Sequence, residues 1–137
     1  MPEHVVQKVM DALNEREKTL KNARVLVVGL AYKRDIDDVR ESPSLELLKI
    51  LKEKGANVDF HDPYIHEIPK TRKYSELAGI KNVALTPETV GLYDAVLIAT
   101  DHSQIDYGML AKAASLIVDT RNAMAAVADG RMNIVKA

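Results

Sequence analysis

A doubly wound, mostly parallel α/β sheet of the Rossmann-like type, preceded by an amino-terminal helix, is the fold that this chain predicts. Three observations carry the expectation. The runs Val25-Leu26-Val27-Val28, Ala95-Val96-Leu97-Ile98-Ala99 and Leu116-Ile117-Val118 are short, rich in β-branched residues and lack polar alternation, as strands buried on both faces would be. Helical segments with readable caps separate them: Ser42 as N-cap before Pro43, and Gly55 as the stop after Lys54. The first run enters Gly29 and then a polar loop with Lys33 and Arg34, the strand-loop-helix order of a βαβ unit.

The elements follow in chain order. Pro2-Glu3, then Val5, Val6, Val9, Met10, Ala12 and Leu13, read as an amphipathic helix ending near Glu15-Arg16-Glu17-Lys18. Its stripe of Val5, Val9, Met10 and Leu13 is expected to be exposed for a partner, self-associating or else fraying; the alternative is a first helix that covers the sheet of a stand-alone domain. After the first strand, a helix runs from Pro43 to about Lys54, burying Leu45, Leu47, Leu48, Ile50 and Leu51. Asn57 to His61 forms the second strand, stopped by Asp62-Pro63. Residues 64–92 carry the weakest signal. They read as a polar loop from Ile65 to Lys73, a helical turn at Tyr74 to Leu77, a short strand at Val83 to Leu85, and a short helix opened by Thr86-Pro87-Glu88. Asp94 to Ala99 is a strand, Tyr107 to Ala114 a helix, Ser115 to Asp119 a strand, and Ile134 to Lys136 an edge.

Composition limits the functions available. The 137 residues are 47% hydrophobic and 28% charged, enough for one domain with a real core. A formal net charge of -1 offers no global field for nucleic acid or for a membrane. With no cysteine there is no disulfide, no thiolate metal site and no cysteine nucleophile. No membrane span or secretory signal is readable, so a cytoplasmic domain is expected.

The loop after the first strand is the candidate binding element. Gly29 is followed by Ala31, Lys33 and Arg34, so the later glycines of a G-x-G-x-x-G fingerprint are missing. Without them the backbone cannot approach a pyrophosphate closely, but a lysine can still reach one as a point charge. The loop therefore reads phosphate through side chains. Asp62 stands where a ribose-binding acid would sit, although Pro63 favours a turn role. Asp101-His102-Ser103 is rejected as a triad, because adjacent residues point apart, and His102 is expected at the crevice rim. His61 with Asp62 gives too few ligands for a metal site.

Gly29-Leu30-Ala31-Tyr32-Lys33-Arg34-Asp35 and Asp37-Asp38-Val39-Arg40-Glu41-Ser42-Pro43 are followed in order by three further motifs. These are His61-Asp62-Pro63-Tyr64, Ala99-Thr100-Asp101-His102-Ser103 and Val118-Asp119-Thr120-Arg121-Asn122-Ala123-Met124. Together they closely resemble the carboxyl-terminal domain of the nucleotide-sugar 6-dehydrogenases, the UDP-glucose, UDP-N-acetylmannosamine and UDP-N-acetylglucosamine enzymes. The loop and the Asp119-to-Met124 segment look more like the N-acetylhexosamine branch. The resemblance implies that Tyr32, Lys33 and Arg121 hold the UDP moiety of a UDP-sugar, with Asn122 either beside them or serving the turn. It also implies that Arg40 reaches NAD, held mainly by a separate NAD-binding domain. Residues 1–20 would be the tail of a central inter-domain helix and 21–137 the UDP-binding domain, with Met1-Pro2 a start inside a longer reading frame.

Members of that family oxidise a sugar C6 alcohol to a carboxylate through a thioester on cysteine. This chain would then be an inactive fragment with no catalytic residue of its own. Its expected partners are the UDP-sugar, the missing NAD-binding and central helical domains, and a second copy in a homo-oligomer, with neither nucleic acid nor membrane. Two other readings stand beside this one. One is a stand-alone doubly wound nucleotide-binding or receiver-like regulatory domain; a receiver would need an acidic cluster after the first strand, where Lys33 stands, and a phosphorylatable aspartate after the third. The other is a self-contained NAD enzyme, which would need the absent fingerprint.

Overall fold

The computed structural model describes residues 2–31, 33–35, 39, 42–125, 127 and 133–136. Helix α1 (Pro2–Glu15) leads into strand β1 (Arg24–Val28), helix α2 (Pro43–Glu53) and strand β2 (Asn57–His61). A 3-10 turn at Ser75–Leu77 and helix α3 (Pro87–Val90) precede strand β3 (Ala95–Ile98). Helix α4 (Tyr107–Ala113), strand β4 (Ile117–Asp119) and strand β5 (Ile134–Lys136) complete the order.

The strands pair as β2-β1-β3-β4-β5, every neighbour parallel. Parallel neighbours need crossovers, and the helices that make them shield the sheet from water on both faces. Alternate residues of each strand accordingly enter different cores. Val25, Val27, Leu97 and Val118 meet α1 and α2, while Leu26, Val28, Val96, Ile98 and Ile117 meet α3 and α4. The doubly wound sheet expected from the buried runs is therefore present. The strand expected at Val83 to Leu85 shrinks to one parallel bridge, Phe60 with Asn82, on the far side of β2. The expected polar loop from Ile65 to Lys73 also carries two core residues, Ile65 and Ile68, which close the end of the α2-side core.

Local chemistry starts and stops these elements. The Ser42 hydroxyl accepts the Ser44 N–H at the start of α2, with Pro43 in the first turn, where a missing N–H costs nothing. Thr86 and Asp106 do the same for α3 and α4.

The exposed stripe expected on α1 is absent. Val9 and Leu13 are fully buried, and Val5 and Met10 lie partly buried against the same cluster. The reason is geometric. Helix α2 covers the face over β1 and β2, so the face over β3 and β4 needs another cover, and α1 lies there beside α2. The α1–β1 joint is tied to the amino end of β3 through Asp94, which accepts from the Lys18 ammonium at 2.9 Å and from the Arg24 N–H at 2.8 Å. Those two donors hold its carboxyl below the usual range.

Leu13→Ala should therefore cost roughly 2–5 kcal/mol of unfolding free energy, the range for a buried leucine truncated in a close-packed core. Urea denaturation would measure it. A chain beginning at Lys21 should aggregate, because Leu97 and Val118 would face water; a soluble truncated monomer of equal midpoint would contradict this packing.

Candidate functional site

The carboxyl ends of β1, β3 and β4 meet at one edge of the sheet. The chain leaves β1 towards β2 on one side and returns to β3 on the other, so the gap between β1 and β3 is the switch point of the fold. The loop after β1 fills that gap.

Its first residue must be glycine. Gly29 has φ +93, and a Cβ there would stand 2.5 Å from the Thr100 carbonyl oxygen and 2.6 Å from the Thr100 Cβ. Any side chain would push the β1 and β3 ends apart.

Nearly every backbone group of the next residues is already committed. The Gly29 N–H donates to the His61 carbonyl at 2.8 Å, and its carbonyl accepts from the Ser44 hydroxyl at 3.0 Å. The Leu30 and Ala31 N–H groups both donate to Asp62 Oδ2, at 2.7 and 3.0 Å. Their carbonyls accept from the Ser42 hydroxyl at 2.7 Å and the Thr100 hydroxyl at 2.8 Å. Consecutive N–H groups after the first strand are what a pyrophosphate takes in a fingerprint loop. Here a buried carboxylate has taken them. Asp62 thus serves structure, as Pro63 suggested, and holds no ribose.

A second buried group completes the arrangement. Loops leaving β2 and β3 flank the β1 loop, and from them Asp62 and His102 meet beneath it. His102 Nε2 donates to Asp62 Oδ2 at 2.7 Å, and both side chains are fully shielded from solvent. His102 Nδ1 accepts the Asp35 N–H at 2.7 Å, so the ring is the neutral tautomer with its proton on Nε2. The expectation of a rim position for His102 fails because both ring nitrogens have partners only beneath the loop. Asp35, at φ 59, bonds the Ser103 N–H at 2.8 Å and the Ser103 hydroxyl at 2.9 Å. Burial pushes the Asp62 carboxyl up, but the bonds from His102, Tyr64, Leu30 and Ala31 outweigh it and leave the carboxyl below its usual range. The Ser103 bonds lower Asp35 likewise.

Exposed cations flank this network, and Arg34 Nε lies 3.8 Å from the Asp35 carboxylate. Lys33 is exposed on the same loop, beside Arg34. Arg121 follows β4; its Nε donates to the Ala99 carbonyl at 3.0 Å, which lays the guanidinium along the β3 end. The buried Asp119 carboxylate fixes the turn beneath it by accepting the N–H groups of Arg121, Ala123 and Met124. Asn122, at φ 58, serves that turn's geometry. A depression of about 460 Å³ opens there, lined by Asp119, Thr120, Arg121, Asn122 and Lys136. Lys136 is a cation that sequence reasoning missed. The parallel pairing of β5 with β4 brings it to this edge, and a three-residue strand gave little sign of its direction. Tyr32 and Arg40 lie outside the described residues.

Among the described residues no group of three or more histidines and carboxylates could hold a metal ion, and no helix is long and apolar enough to cross a membrane. Ser103 donates to a carboxylate and is not activated by His102, which engages Asp62 and Asp35 instead.

Residues 26–126 match the sequence model of the UDP-glucose/GDP-mannose dehydrogenase family, UDP binding domain. The chain belongs to this family. It is 31% identical over 97 residues to the UDP-N-acetyl-D-mannosamine dehydrogenase of Escherichia coli K12, covering 70% of this chain and 22% of the relative. To the UDP-glucose 6-dehydrogenase of Rickettsia bellii it is 32% identical over 131 residues, covering 91% of this chain and 29% of the relative. The structure of a UDP-D-ManNAc dehydrogenase from Pyrococcus horikoshii superposes with a TM-score of 0.76 at 25% identity, over 98% of this chain and 30% of that one. The chain therefore spans less than a third of the length of these relatives.

For this UDP-binding-domain fold, Asp62→Ala should cost roughly 3 kcal/mol or more, since it orphans several buried donors at once. The pH dependence follows from the lowered carboxyl. Asp62 contributes fully above the ordinary carboxylate range, and its contribution disappears as pH falls through its lower folded-state value. Below about pH 4 the wild type should lose stability more steeply than Asp62→Asn. Chemical denaturation across pH 2–7 would show the two slopes, and parallel slopes would contradict the charge state argued for Asp62.

Proposed function

We propose that this chain binds the UDP moiety of a nucleotide sugar, as the substrate domain of an NAD-dependent nucleotide-sugar 6-dehydrogenase. One observation carries the reading: the Leu30 and Ala31 N–H groups are spent on Asp62, while Lys33 and Arg121 stand exposed around the end of β3. A diphosphate at this edge would be held by side-chain cations and not by backbone. Lys33 would approach it from the β1 loop, and Arg121, with Lys136 behind it, from the β4 side. Tyr32 is assigned to the planar base or the sugar edge. The names of the relatives support UDP-sugar as the ligand class. The match at Leu30-Ala31-Tyr32-Lys33 supports an N-acetylhexosamine as the sugar.

The β1 loop does not fit a dinucleotide, because its N–H pair is occupied by an internal anion and it lacks the second and third glycines. NAD, which supplies hydride acceptance in such dehydrogenases, belongs on this reading to a domain outside residues 21–137, with Arg40 reaching towards it. Residues 1–20 are read as the tail of a helix joining the two domains, seated on this one. No cysteine is present to form a thioester, so this chain binds and orients the nucleotide end while the chemistry occurs elsewhere. Pairing of two copies is part of the same proposal.

Calorimetric titration tests the reading. UDP should bind more tightly than UMP, and NAD should add little heat. Lys33→Ala and Arg121→Ala should each weaken UDP binding roughly tenfold or more, the loss of one charge-assisted contact. Added salt should weaken it further. Equal affinity in wild type and Lys33→Ala would remove the β1 loop as the phosphate site. Mixed with NAD and a UDP-sugar, the purified chain should produce no NADH; steady turnover would overturn the division of labour.

A further inference from the structure

We propose that His102 is a positioning residue for the phosphate contact: through its Nδ1 it holds the Asp35 N–H, and with it the segment carrying Lys33. The inference rests on the reading of Lys33 as that contact. Its geometric basis is the asymmetric use of the ring. Nε2 is committed to Asp62, which anchors the beginning of the loop at Leu30 and Ala31. Nδ1 is committed to Asp35, two residues beyond Lys33. One rigid imidazole therefore spans the start and the end of the cation-bearing segment.

The surroundings fix the ring itself. The Tyr64 ring meets it edge-on with centroids 5.0 Å apart, and the Tyr107 hydroxyl donates to the His102 carbonyl at 2.8 Å. Ser103 then clamps the Asp35 carboxylate from the next position in the chain. Asp35 sits at φ 59, a conformation an aspartate keeps only when its surroundings over-determine it. Releasing Nδ1 removes the one bond to its backbone N–H while leaving the Asp62 anchor in place.

The two contacts can be removed separately. Asparagine places its Oδ1 at the same remove from Cβ as Nδ1, and glutamine places its amide nitrogen at the same remove as Nε2. His102→Asn therefore keeps an acceptor for Asp35 and loses Asp62, whereas His102→Gln keeps the donor to Asp62 and loses Asp35. Hydrogen exchange of the Asp35 amide, without ligand and well below each melting temperature, should accelerate about tenfold or more in His102→Gln and change little in His102→Asn. UDP affinity should follow the same order, about fivefold or more weaker in His102→Gln and near wild type in His102→Asn, while His102→Asn shows the larger fall in melting temperature. A purely structural role would make the less stable variant the weaker binder. The proposal is overturned if His102→Gln protects the Asp35 amide, or binds UDP, at least as well as His102→Asn. Lys33→Ala serves as the separate control. If it binds UDP like wild type, the phosphate reading fails, while the exchange data still decide whether His102 holds the loop.

Discussion

The carboxylate of Asp62 is the constraint on which the rest of this edge depends. It is buried, it accepts from Leu30, Ala31, Tyr64 and His102, and it directly follows β2, the strand that lies beside β1. A buried carboxylate is costly unless its oxygens are saturated, and saturating this one uses the donors that an external anion would want. Two consequences follow from that single placement. Leu30 and Ala31 are tied down before any ligand arrives, and their two N–H groups are closed to an external phosphate. On the proposed reading, phosphate recognition then falls to cations beyond the saturated segment. Gly29 is needed even so, for the contact of β1 with Thr100 and not for any approach to a ligand.

The same logic of covering what would otherwise be exposed explains α1. A parallel sheet buries both faces, and the connections of this chain place α2 on one face with α3 and α4 on the other. That leaves the α2 side of β3 and β4 open, which α1 closes with Val6, Val9, Ala12 and Leu13. Its apolar stripe belongs to the domain's own core. A helix that joins this domain to another would therefore arrive with its orientation already set by the packing against α2.

Legibility in the sequence followed how local the cause was. The strands at Val25, Ala95 and Ile117 were readable because burial on both faces leaves continuous apolar runs, and α2 because Ser42, Pro43 and Gly55 mark its limits. The role of Asp62 was half readable, since Pro63 argued for a turn but nothing local named the Leu30 and Ala31 amides as its partners. His102 was misjudged because its partners lie 40 and 67 residues away, and only the strand order brings the three loops together. The α1 stripe was misjudged for the same reason: an amphipathic helix announces that it will be covered, not by what. Residues 64–92 were hard because the outer strand is reduced to a bridge and Ile65 and Ile68 are core residues in a polar context.

On the proposed reading, phosphate is held by side chains instead of backbone, and this has a physical consequence. A nest of N–H groups fixes distance and direction at once, whereas Lys33 presents a charge on a flexible stem, with little directional demand. The fixed elements around it supply what the lysine lacks: Asp35 is held by His102 and Ser103, and Arg121 is laid against Ala99. The Lys33 and Arg121 side chains both remain exposed, and ion pairing at an exposed site is weak and screened. Strong binding then requires water to be excluded from the tips. Nothing among the described residues of this chain folds over that edge, so on the proposed reading the exclusion comes from the neighbouring domain closing on the nucleotide. Affinity and domain closure would in that case be one event, with the segment anchored at Leu30, Ala31 and Asp35 as part of the surface closed upon.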